Sequence, residues 1–470
     1  MVEQHKQEFS KRKLDMAERV LHRVLADVKP TPNEIKLLNA KSNELMGRLK
    51  EVAPKGVDIL LVGSVARGTQ IRGTSDIDIF LLFPKGMEER KMEEAGVRIA
   101  KQMIKKGGER YEIKYAEHPY VRMFLKGAAA TADIVPAFRI SNAEEMGSAV
   151  DRTQLHNQFV NTRLSQKQRN DVRLLKAFLD ARNIYGAEAK IEGFSGYLCE
   201  LLVYYYGSFV KVIEDLSSLR LPTVIDVLNK GSGGRRQNEM TERFNSDFVV
   251  IDPTDRNRNV AANVSQRSLA KAALAARSFI DNPSVNTFYT KGYKGEWASR
   301  MLKRLNSSLG VDAIVVSFAL PEMTEDILWQ QLKRLKERMS HELQHNGFEQ
   351  MLSLQGVSGT DAIIAFLLPN SEKKVSAVHG PSALMGRAAM EFMKSHSKSG
   401  VLLLDQDKIL SMEKPRYSTP IEVLRSIISQ NNIKFPSYIS KRGTKLYVNR
   451  MPERYSRMLH EALEDNVIQQ

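Results

Sequence analysis

Residues 61–83 read LVGSVARGTQIRGTSDIDIFLLF. The Leu, Ile and Val runs predict strands over 58–66 (DILLVGSVA) and 76–83 (DIDIFLLF), with a glycine-punctuated turn region over 63–75. Alternate residues of a strand share a face, so Asp76 and Asp78 point together while Ile77 and Ile79 face a core. Two adjacent carboxylates repel unless a cation sits between them. Hard divalent ions take carboxylate oxygens together with substrate phosphates, so the pair reads as a metal site. Gly63-Ser64 follows the first strand and leads into a short helical turn. Glycine lets backbone approach phosphate closely, and free amides with the Ser64 hydroxyl can cradle a triphosphate. Arg67, three residues on, can pair with phosphate oxygens. Holding two ions takes a third carboxylate, and Asp133 in TADIVPAF is the candidate. It is an acid inside an apolar strand, where an unpaired charge is costly. Singly, these acids could equally line a strand edge or a turn; the GS-x2-RG-x7-DID run with the strand-embedded acid carries the reading.

The flanking sequence alternates between helical and strand patterns. Residues 3–28 place Phe9, Met16, Val20 and Val24 at helical spacing, and Thr31-Pro32-Asn33-Glu34 is a capping box opening a helix to about Val52. A helix over 87–107 and strands near 110–117, 119–125 and 130–138 complete an α+β domain. Ser165–Gln168 caps a helix running to about Arg182, and 195–215 reads as one buried helix. Residues 229–247 are polar and glycine-rich, a loop, and 263–281 are helical. From 312 a strand, a helix (325–346) and two strands (348–355 and 361–368) give a βαββ module with one-sided sheet packing. Further helices begin at Thr419-Pro420-Ile421-Glu422 and at Pro452.

The chain has 470 residues, which predicts three domains. Lys plus Arg is 70 against 55 Asp plus Glu, a net charge of +15, which favours phosphate polyanions, nucleic acid first. With 42% hydrophobic and 27% charged residues, wholesale disorder is excluded. The single cysteine, Cys199, excludes an internal disulfide framework and any CxxC motif, and points to the reducing cytoplasm. No uncharged apolar run approaches the ~18 residues of a membrane span, so no membrane partner is expected. The N-terminus, MVEQHKQEFSKRK, lacks the apolar stretch of a signal peptide.

The GS-x2-RG…D-h-D-h pattern with a distal Asp resembles the DNA-polymerase-β-type nucleotidyltransferase superfamily. AVDRTQLHNQF (149–159), the stretch 170–209 with NIYGAEAKIEGFSGYLCELL, and VVIDPTDRNRNVAANVS (249–265) resemble the archaeal, class I CCA-adding enzymes, which build the 3′-terminal CCA of tRNA. The resemblance implies an α+β multidomain chain: a polymerase-β-like nucleotidyltransferase head (1–150), a mainly helical central neck (151–280) and an α/β C-terminal body with a tail that binds tRNA (281–470). It implies Mg2+ on Asp76, Asp78 and Asp133, with Ser64 and Arg67 on the triphosphate. His156, Lys176 and Tyr185 are implied to bind the incoming CTP or ATP, and Arg258 to read the base. On the residues alone, Lys176 could be a solvated helix lysine, Tyr185 a core residue, His156 a surface histidine and Arg258 a salt-bridged surface arginine.

The same head serves poly(A)-polymerase-like and small-molecule nucleotidyltransferases, but the latter need no tRNA-sized basic body. A silent tRNA-binding protein is disfavoured by the intact acids. A homodimer is compatible with the sequence. His341 and His345 satisfy HExxH, yet fall off the apolar stripe Leu328, Leu332, Leu335, Met339, Leu343, which argues for a solvated face over zinc. The basic, aromatic stretch 288–304 and the loop 230–243 are candidate RNA contacts or plain basic surface.

Overall fold

The computed structural model describes residues 8–466, apart from 74–75, 116–117, 126–129, 149, 230–234, 290–295, 322–324, 370–371, 399, 430–434, 437–438 and 440–442. The chain divides into two units, residues 1–291 and 292–467.

The first unit opens with α1 (Lys11–Val28), α2 (Pro32–Val52), β1 (Asp58–Val62), α3 (Gly63–Arg67) and β2 (Ile77–Phe83). Next come α4 (Glu89–Gly107), β3 (Tyr111–Tyr115), β4 (Pro119–Phe124) and β5 (Thr131–Phe138). The five strands form one sheet in the order β1-β2-β5-β4-β3, in which β2 and β5 are parallel and the other pairs antiparallel. The strand expected over 58–66 stops at Val62. Gly63 takes φ +74°, which a strand cannot hold, and residues 63–67 coil into α3. The rest of β2 alternates as its sequence demands. Ile77, Ile79, Leu81 and Phe83 pack with Leu45 and Leu49 of α2 and Met92, Ile99 and Met103 of α4. Phe80 and Leu82 turn to the opposite face, and Asp78 shares that side by the period of two. The Thr31 capping box forms in full: Thr31 Oγ1 accepts from the Glu34 amide at 3.2 Å and Glu34 Oε2 from the Thr31 amide at 2.5 Å.

The remainder of this unit holds α5 (Arg152–Arg163), α6 (Gln166–Asp180), α7 (Gly196–Tyr206), α8 (Phe209–Ser217), β6 (Thr223–Asp226), α9 (Arg235–Phe244), β7 (Phe248–Ile251) and α10 (Gln266–Asp281). α1 packs here: Ala17, Leu21, Val24 and Val28 share a core with Val172, Leu175, Leu198 and Val212. Phe178, Phe209, Phe279 and Phe288 interlock at its centre, with ring centroids 5.5–6.1 Å apart.

Two expectations are corrected in this region. The buried stretch 195–215 is two helices, because Gly207 turns left-handed at φ +93° and the Ser208 hydroxyl caps α8. The stretch 229–247 is not all loop: residues 235–244 form α9, beside the parallel pair β6 and β7, while 230–234 lie outside the described residues.

In the second unit run α11 (Glu296–Leu309), β8 (Val311–Ala319), α12 (Glu325–His345), β9 (Leu352–Ser358), β10 (Asp361–Pro369), β11 (Ser376–Ser382) and α13 (Gly386–His396). They are followed by β12 (Gly400–Asp405), β13 (Lys408–Glu413), α14 (Pro420–Ser429), β14 (Lys445–Val448) and α15 (Glu453–Glu464). An antiparallel sheet runs β14-β8-β10-β9, and β11-β13-β12 form a second one beside α13. The one-sided packing expected for the first sheet is corrected. Ile314, Val316, Ile364 and Phe366 meet α12 and α14, whereas Ala313, Val315, Ile363 and Ala365 meet α11 and α15. The continuous apolar runs of β8 and β10 are those of strands covered on both faces. On α12 the stripe Leu328–Leu343 is buried while His341 and His345 are exposed, their rings parallel at 6.3 Å. Within the stretch 288–304, residues 290–295 lie outside the described residues. No helix among the described residues is long and apolar enough to cross a membrane.

Candidate active site

The parallel register of β2 and β5 sets Asp78 directly beside Asp133. Asp76, exposed just before β2, accepts from the Thr131 hydroxyl at 2.8 Å, so the three acids converge where β2 and β5 begin. Burial, then the charges of Asp133 and Asp76, push the Asp78 pKa up to about 7. Gly63 makes room for this carboxylate: a Cβ there would lie 1.9 Å from Asp78 Oδ2. Asp133 is held from the other side. Arg122 of β4 donates Nε–H to Oδ1 at 2.8 Å and Nη2–H to Oδ2 at 2.6 Å. Crowded acids, one driven toward protonation by burial and its neighbours, fit a divalent metal, which would relieve that repulsion.

Among the described residues, the group of ligand atoms lying within 4.8 Å of one another is a different one, Glu89, Glu93 and His118. There the buried His118 uses both ring nitrogens, with Glu93 and with Ser148 Oγ, each at 2.8 Å. That network ties α4 to the start of β4.

Beside the acids, α6 grips the loop that follows α3. Arg173 donates to the carbonyls of Gly68 at 2.5 Å and Gln70 at 2.9 Å. Lys176, one turn on, donates to the Thr69 carbonyl at 3.0 Å. Lys176 is therefore no solvated lysine: it is buried, and burial holds its pKa below the usual lysine value. The Tyr185 ring lies 5.9 Å from its Nζ, and burial pushes the phenol pKa up. Arg67 is buried as well, and its Nε–H donates to Glu200 Oε1 at 3.1 Å. Ser64 sits half-buried in the first turn of α3.

His156 and Arg258 meet on a residue that the sequence reading passes over. His156 Nε2 lies 2.8 Å from Asp252 Oδ2, and Arg258 Nη1 donates to the same oxygen at 3.0 Å. The other oxygen accepts from Tyr197 Oη at 3.2 Å and from the Thr254 amide and hydroxyl at 2.9 and 2.8 Å. His156 is buried and stacked on Tyr197 at 3.7 Å, and burial depresses its pKa against the pull of Asp252. Arg258 keeps about a third of its side chain in solvent. Tyr197 and Glu200, at i and i+3 of α7, serve both clusters from one helix face. Asp252 closes the buried strand β7, the same signal that singles out Asp133. Arg122, Arg173 and Glu200 lack such a mark.

Three family models match the chain. A nucleotidyltransferase domain covers residues 42–156, the second domain of tRNA nucleotidyltransferase covers 170–289, and the C-terminal domain of CCA-adding enzymes covers 310–443. The CCA-adding enzyme of Archaeoglobus fulgidus is 34% identical over 415 residues, 88% of this chain and 90% of that protein. Those of Methanocaldococcus jannaschii and Methanothermobacter thermautotrophicus are 31% and 33% identical, covering 91% and 87% of this chain and 95% and 87% of their own lengths. The match to the C-terminal domain separates the chain from the small-molecule nucleotidyltransferases that share its first domain. With its α+β nucleotidyltransferase domain and near full-length relatives, this chain belongs to the CCA-adding enzymes, the tRNA nucleotidyltransferases.

Proposed function

We propose that the enzyme adds C, C and A to the tRNA 3′ end from CTP and ATP through one nucleotide site, with release of pyrophosphate. One observation carries this reading: Asp76, Asp78 and Asp133 converge at β2 and β5 while Arg67 and Lys176 flank the loop beside them. Asp76, Asp78 and Asp133 would hold Mg2+, which when bound supplies charge neutralisation to the triphosphate and lowers the pKa of the attacking hydroxyl. Ser64, Arg67, His156, Lys176 and Tyr185 bind the incoming nucleotide, and Arg67 contributes a fixed positive charge toward its phosphates. Asp133 accepts the proton of the tRNA 3′-hydroxyl, and Arg122 holds that carboxylate in place until it does. Residues 1–150 act as the catalytic head, 151–280 as the nucleotide-binding neck and 281–470 as the tRNA-binding body and tail, working in the cytoplasm.

Arg258 reads the base in this account. A guanidinium only donates. Cytosine offers N3 and O2 as acceptors and adenine N1 or N7, whereas uracil N3 and guanine N1 present donors. An unmatched buried donor costs ~1–3 kcal/mol, roughly ten- to hundredfold in discrimination. Asp252 anchors one Nη of Arg258 and so orients the rest of the group. Arg258→Ala is expected to lower kcat/KM for CTP and ATP and to leave UTP use little changed. All four nucleotides are compared on tRNA ending before CCA and on tRNA ending in CC. Wild-type rates together with the wild-type UTP penalty in the variant would contradict base reading by Arg258.

A further inference from the structure

Glu200 is fully buried, and its bonding is lopsided. Oε1 accepts from the Arg67 Nε–H at 3.1 Å and from the Thr69 hydroxyl at 2.5 Å, while Oε2 is buried and meets no hydrogen-bond donor among the described residues. A buried carboxylate is costly unless its charge is matched and its oxygens bonded. A side chain kept for stability alone would use both oxygens, and an arginine paired for stability would offer its two-toothed fork. Other arginines of this unit do so: Arg48 on Glu109, Arg122 on Asp133 and Arg256 on Asp226, each through two short bonds. Arg67 instead spends only Nε on Glu200, and its Nη edge has no hydrogen-bond partner among the described residues. Thr69 passes the contact on, because its carbonyl and hydroxyl oxygens accept from Lys176 Nζ at 3.0 and 3.4 Å. One carboxylate thus balances two buried cations and fixes the plane of a guanidinium whose outer edge stays unspent.

We propose that Glu200 is a positioning residue for nucleotide binding: it holds Arg67 by Nε and Lys176 through Thr69, so that both cations stand ready for a triphosphate. Removing the carboxylate frees Arg67 to swing toward the Asp76, Asp78 and Asp133 cluster. The proposal rests on the nucleotide-site reading above, and the experiment separates the two.

Full-length Arg67→Ala, Glu200→Gln and the double variant are assayed with tRNA lacking CCA. KM and kcat are measured for CTP and ATP, together with inhibition by inorganic tripolyphosphate, which has phosphates and no base. Loss of a charge-assisted contact is expected to raise both KM values and the tripolyphosphate Ki about tenfold in Glu200→Gln, with a much smaller change in kcat. The double variant should fall well short of the product of the two single penalties, because Glu200 acts in part through Arg67 and otherwise through Thr69 and Lys176. Constants unchanged in Glu200→Gln but raised in Arg67→Ala overturn the proposal alone, and so do penalties that multiply in the double variant. Unchanged constants in Arg67→Ala overturn the site reading and the proposal with it. If Glu200→Gln does not fold, Thr69→Val decides: a joint rise of about threefold supports the proposal and unchanged constants overturn it.

Discussion

Asp78→Ala is expected to lower addition of CMP and AMP by about a thousandfold or more, ~4 kcal/mol of lost transition-state stabilisation, while tRNA binding stays near wild type. Asp78 is pressed against Gly63 on one side and Asp133 on the other. Among the described residues no hydrogen bond or ion pair to its side chain explains so unfavourable a position. Its pKa of about 7 lies above the ordinary 3.8, so without metal its ionisation costs stability. That cost is absent below the unfolded pKa, grows as pH rises from about 4 to 7, and is complete above 7. Asp78→Ala should therefore melt at the same temperature as wild type or higher in chelator, with the gap wider at pH 8 than at pH 5. Melting curves at both pH values and single-turnover addition check the two halves. Residual addition above about a thousandth of wild type contradicts the metal assignment.

Gly63→Ala should cost about a hundredfold in kcat through one methyl group, because the added Cβ and Asp78 Oδ2 cannot coexist at 1.9 Å. Either the carboxylate turns away from Asp133 or the β1–α3 turn shifts. A control separates this clash from backbone strain. Gly73 has nearly the same positive φ, +76°, but open space where a Cβ would go. Gly73→Ala therefore bears the left-handed strain, ~1–2 kcal/mol of stability, with kcat nearly unchanged. Equal kcat losses in the two variants would show that Gly63 matters for the turn rather than for the acid.

The parts of this site written locally are legible in the sequence. Asp76 and Asp78 declare a shared face by their spacing, and Asp133 and Asp252 are acids set in or closing apolar strands. Gly63 is legible as the glycine that leads into a short helical turn, but the strand's last residue is not, since the apolar run continues past it through Val65 and Ala66. The supporting residues are not legible, because their meaning is made by distant segments meeting. Glu200 finds Arg67 across 133 positions, Asp252 finds His156 across 96, and Arg122 finds Asp133 only through the β4–β5 register. Lys176 sits off the centre of its helix stripe and still lies buried, because its acceptors come from the loop after α3. In the second unit the βαββ order is legible, but its second covered face is not, as α11 and α15 flank the module in sequence.

The measurement closest to the central claim is the length of product made on a tRNA transcript that ends before CCA. CTP alone should extend it by two residues, CTP with ATP by three and no further, and UTP or GTP by none at comparable rates. A transcript already ending in CC should accept one A from ATP. A long adenosine tail from ATP alone, or extension by UTP as fast as by CTP, would contradict the account.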